Sequence, residues 1–264
     1  MKKILLIAQN SLKDALRQKL VFLIVPMAVV LTLFSSYAMR LDLGHEQLKF
    51  VGNFTSGALG FFGALIAVVS VCQLFYSEIE NKTVATLLAH PVSRLDFVAG
   101  KLLGEVYLIL IFVFLVLFAG GISLYLAELR LAGIPDEMLT GARLGVDWAG
   151  FLAFGLLQAV KLSAIAAMSC FVCAVSRSMM FALVVSFMVV AASLISYSDF
   201  FSGGGFVLNL ITYIVPNFTI FEPTLDFAFY GVCWHQFFAA FGYGAVYVLS
   251  FLFLSVWAFS SREI

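Results

Sequence analysis

Six long apolar runs constrain the fold of this chain more than any other feature of its sequence. A helix needs roughly 20 mostly apolar residues to cross about 30 Å of hydrocarbon. The runs that meet this length are residues 20–39, 54–76, 102–124, 148–175, 179–197 and 236–259. Apolar residues make up 63% of the chain and charged residues only 11%, so a single soluble core could not bury this surface. The sequence predicts an all-α membrane protein with six transmembrane helices.

The positions of Lys and Arg predict the orientation. Ten of them fall on the side that holds both chain ends, four fall on the other side, and Lys161 lies inside a run. Because cytoplasmic loops carry the excess of basic residues, both termini are expected in the cytoplasm and the protein in the cytoplasmic (inner) membrane. The 15 basic and 15 acidic residues cancel, so net charge indicates no nucleic-acid partner.

Residues 1–19 precede the first run. Ile4, Ala8, Leu12 and Ala15 recur at helical spacing. The basic residues Lys2, Lys3, Lys13 and Arg17 occupy much of the remaining surface. This pattern is typical of an amphipathic helix in the membrane interface, in contact with lipid headgroups. The alternative is that these residues simply begin the first transmembrane helix.

Three loops are predicted on the outer side, at residues 40–53, 125–147 and 198–235. Within the third, residues 206–215 form an apolar stretch too short to span the membrane. We expect a re-entrant or interfacial hairpin there, because a seventh span would place the C-terminus outside. Glu222, Asp226 and His235 are expected to be solvated loop residues or contacts to a periplasmic partner, rather than metal ligands.

The four cysteines predict no disulfide framework, because Cys72, Cys170 and Cys173 lie inside apolar runs and Cys233 in a loop. Cys170 and Cys173 form a C-x-x-C pattern, but small buried residues explain it better than a metal or redox site. The sequence contains no G-x-x-x-x-G-K-[ST] motif and no metalloprotease or serine-hydrolase motif. We therefore expect a protein that is not an enzyme by itself and binds no cofactor.

Residues 77–101 form the longest predicted cytoplasmic loop. A short amphipathic helix is expected from Asn81 or Thr83, with Leu87 and Leu88 on one side. Pro91 ends it, because the proline ring excludes helical geometry for the preceding residue. Such a helix at the end of two membrane helices is suited to a groove on another protein.

This loop carries a family resemblance. Its pattern is Glu78-x-Glu80-x-x-Thr83-x-x-x-Leu87-Leu88-x-x-Pro91-Val92-Ser93-Arg94, followed by Lys101. It resembles the coupling-helix segment of type-2 ABC transporter permeases, and the closest branch is the permeases of multicopper-enzyme maturation, including nitrous-oxide-reductase maturation. The segment 213–217, ending in Pro216-Asn217, with Phe221, is similar to the stretch before the last span in that branch. Lys82 departs from the pattern, where Gly or Arg is expected before the Thr, and this loosens the branch assignment.

The resemblance implies the transmembrane subunit of an ATP-driven exporter. Residues 77–101 would dock on a cytoplasmic ABC ATPase subunit, which would hold the ATP and Mg²⁺. Two permease chains would pair, most simply as a homodimer, with close-packing small residues at the interface. The candidates are Gly57, Gly60, Gly63, Ala164, Ala166 and Ala167. The branch also suggests a cargo for the maturation of a periplasmic metalloenzyme.

Two ionisable residues lie inside predicted spans. Lys161 is near the middle of span four, with Gln158 one turn away on the same face, and a charge at that depth indicates function. The pair is either a substrate path for an anion or a structural contact. Glu105 lies one turn inside span three, where we expect it to reach the cytoplasmic interface and to anchor the helix end or contact Arg94 or Lys101.

Two other functions stay open from the sequence alone. One is a secondary transporter or channel built around Lys161 that needs no ATPase. The other is a membrane scaffold whose loop recruits a cytoplasmic partner without transport.

Overall fold

A computed structural model describes residues 2–38, 47–80, 94–132, 145–195 and 216–260. Within these ranges the chain forms helices and no strands. The α-helices are α1 (Lys2–Leu16), α2 (Lys19–Ala38), α3 (Gln47–Glu80), α4 (Arg94–Ala132), α5 (Trp148–Val175), α6 (Met179–Ile195), α7 (Phe227–Tyr230) and α8 (Trp234–Ser260). A 3-10 helix, Phe218–Asp226, precedes α7. The predicted all-α class is confirmed.

Five of these helices are long and apolar enough to cross a membrane: α2, α3, α4, α5 and α8. The fifth predicted span corresponds to α6, which has 17 residues. At 1.5 Å per residue the described part of α6 is about 25 Å long, somewhat short of the hydrocarbon thickness. A multi-pass membrane protein is therefore established, and the count of six spans stays a prediction.

Two of the predicted outer loops are shorter than expected. α3 begins at Gln47, inside the predicted loop 40–53, and α4 continues to Ala132, inside the predicted loop 125–147. Helical hydrogen bonding continues past the apolar run, because polar residues such as Asn53 are exposed on the helix surface. The predicted hairpin at 206–215 lies outside the described residues.

Side-chain contacts define two ends of the helix bundle. At one end, which we call the basal end, the Tyr76 hydroxyl of α3 donates to the Ser176 carbonyl after α5. At the opposite end, which we call the cap end, Arg130 of α4 donates to the Ser36 carbonyl of α2. α1 and the end of α8 both lie at the basal end, where Phe259 contacts the start of α4. The two ends of the described chain are therefore on the same side of the bundle.

α1 packs directly on α4 at the basal end. A Cβ atom on Gly104 would lie 2.6 Å from Ser11 Cβ, and one on Gly100 would lie 2.7 Å from Ile7 Cγ2. These two glycines, four residues apart, permit the close approach of helix backbones that small-xxx-small patterns allow. Residues 2–16 are thus a helix, as predicted, but tertiary contacts hold it. Its location in a lipid interface stays a prediction.

Most of the small residues proposed for a protomer interface pack inside the chain instead. A Cβ atom on Gly63 would lie 2.5 Å from a Leu162 methyl group, and Ala164, Ala166 and Ala167 are fully buried. The prediction was wrong for these four residues, because small residues serve packing within a chain and between chains equally well. A Cβ atom on Gly57 or Gly60 would meet no atom of the described residues within 4 Å.

Candidate functional sites

The coupling segment predicted at residues 77–101 joins α3 to α4 at the basal end and includes the adjoining ends of both helices. Glu78 and Glu80 lie in the last turn of α3, and Arg94 begins α4. α3 thus occupies the first four positions of the predicted loop, 77–80, and α4 occupies its last eight, 94–101. Residues 81–93 lie between the two helices. The other predicted docking residues lie outside the described residues: Thr83, Leu87, Leu88, Pro91, Val92 and Ser93. Their role, and the short helix expected there, stay predictions.

A buried lysine connects the two helices that flank this segment. The Nζ of Lys101 on α4 donates to the Leu74 carbonyl on α3. The same nitrogen lies 5.3 Å from the ring centroid of Phe75 and 4.8 Å from that of Phe97. Cation–π attraction is strongest when, as here, the cation is removed from water. Lys101 therefore joins α3 to α4 about two helical turns after Arg94, the first residue of α4.

Glu105, one turn further along α4, makes a second connection. The Ser70 hydroxyl of α3 donates a 2.8 Å hydrogen bond to Glu105 Oε2. Only 1% of Glu105 is exposed, and its Oε1 has no hydrogen-bond partner within the described ranges. The expectation that Glu105 reaches the interface was wrong, because the packing of α1 and α3 against α4 covers it. Ser70 is 35 positions away, so the sequence offered no local signal for this pair.

The contacts of Lys101 and Glu105 join α3 to α4 in a cluster that we call the basal block. Aromatic contacts add the end of α8 to this cluster. The ring of Phe259 stacks on that of Phe97, with centroids 5.5 Å apart and planes 19° from parallel. It also meets Phe75 edge to face, at 5.7 Å and 80°. Such pairs contribute about 0.5–1.5 kcal/mol beyond the area they bury. The last turn of α8 is thus attached to the helices that flank the coupling segment.

Three cysteines lie beside the basal block. The Sγ atoms of Cys72 on α3 and Cys173 on α5 are 3.2 Å apart, and Cys170 is buried nearby. These residues pack as small side chains between helices, as expected. In the described ranges no group of three His, Cys, Asp or Glu residues is arranged to hold a metal ion.

Lys161 and Gln158 lie on α5, where both side chains are buried. The amide oxygen of Gln158 has no hydrogen-bond partner among the residues described. Glu222 of the 3-10 helix is near enough to Lys161 for the two side chains to interact electrostatically. Close packing of α8 covers this part of α5, since a Cβ atom on Gly244 would collide with Val160 Cγ1. The two predicted residues therefore lie together in the bundle, below the segment that closes the cap end.

Residues 216–230, which we call the cap, cover that end. The Asn217 side chain accepts from Thr219 N and begins the 3-10 helix, while Asn217 N donates a 2.7 Å hydrogen bond to the Tyr243 hydroxyl of α8. Phe218, Phe221 and Leu225 are buried. Their spacing of three and four residues is a helical signal that the loop prediction for 198–235 overlooked. This part of the predicted outer loop is packed structure.

Two glycines allow the cap to approach the helices. A Cβ atom on Gly150 of α5 would overlap the Phe227 carbonyl oxygen, and one on Gly52 of α3 would lie 2.9 Å from the Phe229 ring. The N-cap residue of α5 is also joined to the cap by a 2.8 Å hydrogen bond from Asp147 N to the Ala228 carbonyl. The cap is therefore in direct backbone contact with the bundle.

The acidic and histidine residues of the third outer loop do not come together. Asp226 pairs with Lys49 of α3 at 3.8 Å, Glu222 is exposed on the 3-10 helix, and His235 is exposed at the start of α8. Exposed ion pairs of this kind contribute about 0–1 kcal/mol. Glu222 and His235 match the expectation of solvated residues.

These features define a multi-pass helical membrane protein whose α3 and α4 are tied together beside a polar connecting segment. The model of the ABC-2 family transporter proteins matches residues 5–263, nearly the whole chain. The chain therefore belongs to the ABC-2 family of transporter proteins and is a permease subunit of an ABC transporter. The family is a membrane component without its own nucleotide-binding site and normally works with an ATPase subunit. No individual curated protein matches the chain significantly.

Proposed function

We propose that this chain is the permease of an ATP-driven exporter and that residues 77–101 couple it to a cytoplasmic ABC ATPase. The observation that carries the proposal is the basal block, in which Lys101 binds the Leu74 carbonyl and Glu105 binds Ser70. A displacement of the segment between α3 and α4 acts on two helices that are already bound to each other. They would then move together instead of sliding past one another.

The proposed mechanism is alternating access. ATP binding closes the ATPase pair and displaces the coupling segments, and α3 and α4 follow as a unit. α8 follows through the Phe259 contacts with Phe75 and Phe97. Because α8 also holds the cap through Tyr243, displacement at the basal end can reach the cap end. Packed interfaces convert such small shifts into discrete states.

Lys161 and Gln158 are the proposed substrate path. Lys161 would supply, when protonated, a positive charge in a low-dielectric region, and the Gln158 oxygen, which has no partner among the described residues, can accept a hydrogen bond. Opening of the cap would uncover them. This arrangement favours an anionic substrate. Delivery of a small cargo for periplasmic metalloenzyme maturation is the specific role we propose, with the exposed surface of the cap as the contact for a periplasmic partner.

The active unit is proposed to be a homodimer on two ATPase subunits. Gly57 and Gly60 are the candidates left for the protomer interface, since within the described ranges neither has a neighbour at its Cβ position. They lie on one face of α3 next to Phe61, whose ring is exposed in the single chain. The two ends of the described chain lie at the basal side of the bundle, which supports an even number of spans. We propose that the protein lies in the inner membrane with both termini in the cytoplasm.

Reconstitution into liposomes with the partner ATPase tests this function. The proposal requires that the chain stimulate ATP hydrolysis and that Leu87→Asp/Leu88→Asp abolish stimulation while the protein still inserts and elutes as wild type. Transport without an ATPase would instead favour a secondary transporter or channel. ATPase binding without any transport would favour a scaffold.

A further inference from the structure

A polar cleft of about 380 Å³ lies at the basal end, outside the proposed substrate path. It is formed where α1 ends and α2 begins, beside the last turns of α3 and the first residue of α6. The lining residues used below are Asp14, Arg17, Gln18, Gln73 and Ser77. Of these residues, only Arg17 was expected from the sequence to meet lipid headgroups.

The cleft lies where apolar helices begin and end, the level at which we expect lipid headgroups. The apolar part of α3 ends at Ser77, and the helices α2 and α6 begin at Lys19 and Met179. Three apolar helices thus start or stop at this level. The residues next in sequence to two lining residues are exposed and apolar, with Leu16 at 47% and Met180 at 73% exposure. A ligand in the cleft would have a polar group among polar residues and an apolar part beside these side chains.

The charges in the cleft have opposite signs. Asp14 lies in the last turn of α1 and Arg17 directly follows that helix; both are exposed, and among the described residues neither makes an ion pair. A guanidinium group binds phosphate through two parallel hydrogen bonds, and a carboxylate binds a primary ammonium. The lining therefore complements a group that carries a phosphate and an ammonium a few ångströms apart.

Gln18 adds a further acceptor. Its Nε2 donates to the Ser70 carbonyl at 3.4 Å, and its Oε1 is buried with no hydrogen-bond partner within the described ranges. A buried amide oxygen without a partner is costly, and an N–H donor would relieve it. A primary ammonium donates hydrogen bonds, whereas a trimethylammonium does not. This favours phosphoethanolamine over phosphocholine.

We infer that this cleft binds the phosphoethanolamine headgroup of a membrane phospholipid, with Arg17 on the phosphate and Asp14 on the ammonium. The inference is independent of the proposed coupling to an ATPase, because it needs only the single chain in a membrane. The bordering apolar side chains favour the intact lipid over the free headgroup.

Native mass spectrometry of the delipidated full-length chain tests the inference. The probes are dioleoyl phosphatidylethanolamine, phosphatidylcholine and phosphatidylglycerol, with sn-glycero-3-phosphoethanolamine as the soluble headgroup. Phosphatidylethanolamine is expected to bind about tenfold tighter than phosphatidylcholine, as for one charge-assisted hydrogen bond. The soluble headgroup should not displace it at equal concentration.

Three variants assign the contacts. Asp14→Asn should remove the preference for phosphatidylethanolamine over phosphatidylcholine, and Arg17→Gln should weaken both by about tenfold. Lys13→Gln is the matched control, because Lys13 is exposed on the same helix but does not line the cleft. All three positions are on the surface, and unchanged elution from size exclusion verifies folding.

Several results would overturn the inference. Equal binding of phosphatidylethanolamine and phosphatidylcholine would show that Asp14 does not bind the ammonium group. Tighter binding of phosphatidylglycerol, or equal losses in Arg17→Gln and Lys13→Gln, would show a diffuse basic surface instead of a site. Displacement by the soluble headgroup at equal concentration would identify a small-molecule site and not a lipid site.

Discussion

The Ser70 hydroxyl of α3 donates to the Glu105 carboxylate of α4, 2.8 Å away in the buried basal block. Ser70→Ala should destabilise the protein by about 1 kcal/mol, the usual range for a hydrogen bond between membrane helices. The midpoint of thermal unfolding in detergent measures the loss. Adding Glu105→Met should recover part of it, since replacing both partners by apolar groups leaves no polar atom without a partner.

Ser169→Ala is the matched control for that experiment. Ser169 is equally buried, but its hydroxyl bonds the Ile165 carbonyl of its own helix. Its removal should shift the midpoint less than Ser70→Ala does. Equal shifts would show that the contact between α3 and α4 has no special role in holding the block together.

Gly150 of α5 allows the cap to pack closely against the bundle. A Cβ atom there would overlap the backbone carbonyl oxygen of Phe227, which cannot move aside as a flexible side chain would. Gly150→Ala should therefore lift the cap from the bundle. Ala228→Cys, made in a Cys233→Ser background, reports the exposure of the cap. Its reaction with a membrane-impermeant maleimide is expected to be about tenfold faster for each 1.4 kcal/mol by which Gly150→Ala destabilises the packed cap.

Gly121→Ala serves as the comparison for the cap experiment. Its Cβ position has no neighbour closer than 3.7 Å among the described residues, so an added methyl group fits. Labelling in Gly121→Ala should match the parent protein. A cap that stays protected in Gly150→Ala would contradict the packing described here.

Gly57 and Gly63 distinguish contacts between protomers from contacts within one. Gly57→Leu should leave the fold intact and reduce dimer formation, because its Cβ position is open within the described part of the single chain. Gly63→Leu should instead lower stability by about 1–3 kcal/mol, because it collides with Leu162. Mass photometry gives the dimer fraction and thermal unfolding the stability. A dimer unaffected by Gly57→Leu would exclude this face.

Lys161 is the residue on which the proposed anionic substrate depends. Lys161→Met should reduce ATP-driven transport at least about tenfold, because the charge that attracts the substrate is lost, whereas Lys161→Arg should retain most of it. Transport into proteoliposomes, normalised to inserted protein, is the measurement. Unchanged transport in Lys161→Met would assign this residue to structure alone.

Run length and apolar composition were enough to predict most of the membrane helices, because crossing a bilayer imposes a length and a composition that a single sequence displays. α5 was predicted with both ends correct, at Trp148 and Val175. α6 was expected to be a full span, and because the described residues end at Ile195 its crossing of the membrane stays a prediction. Helix ends outside the hydrocarbon, such as Gln47 and Ala132, were missed because polar residues continue a helix there.

Contacts between distant segments were not predictable in the same way. Glu105 was expected near the interface, because nothing local shows that Ser70 faces it. Gly63 was assigned to a protomer interface, because its size does not distinguish Leu162 of its own chain from a second chain. The packing of α1 on Gly100 and Gly104 likewise depends on a partner helix that an amphipathic pattern does not identify.

Photo-cross-linking tests the coupling claim most directly. A photoreactive amino acid at Leu88, in the coupling segment, is expected to cross-link this chain to an ATPase whose peptides contain a Walker A motif. The same group at Tyr230, exposed on the cap, should give no such product, because it lies at the opposite end of the bundle. An ATPase cross-link from Tyr230, or none from Leu88 with the protein correctly inserted, would contradict the account.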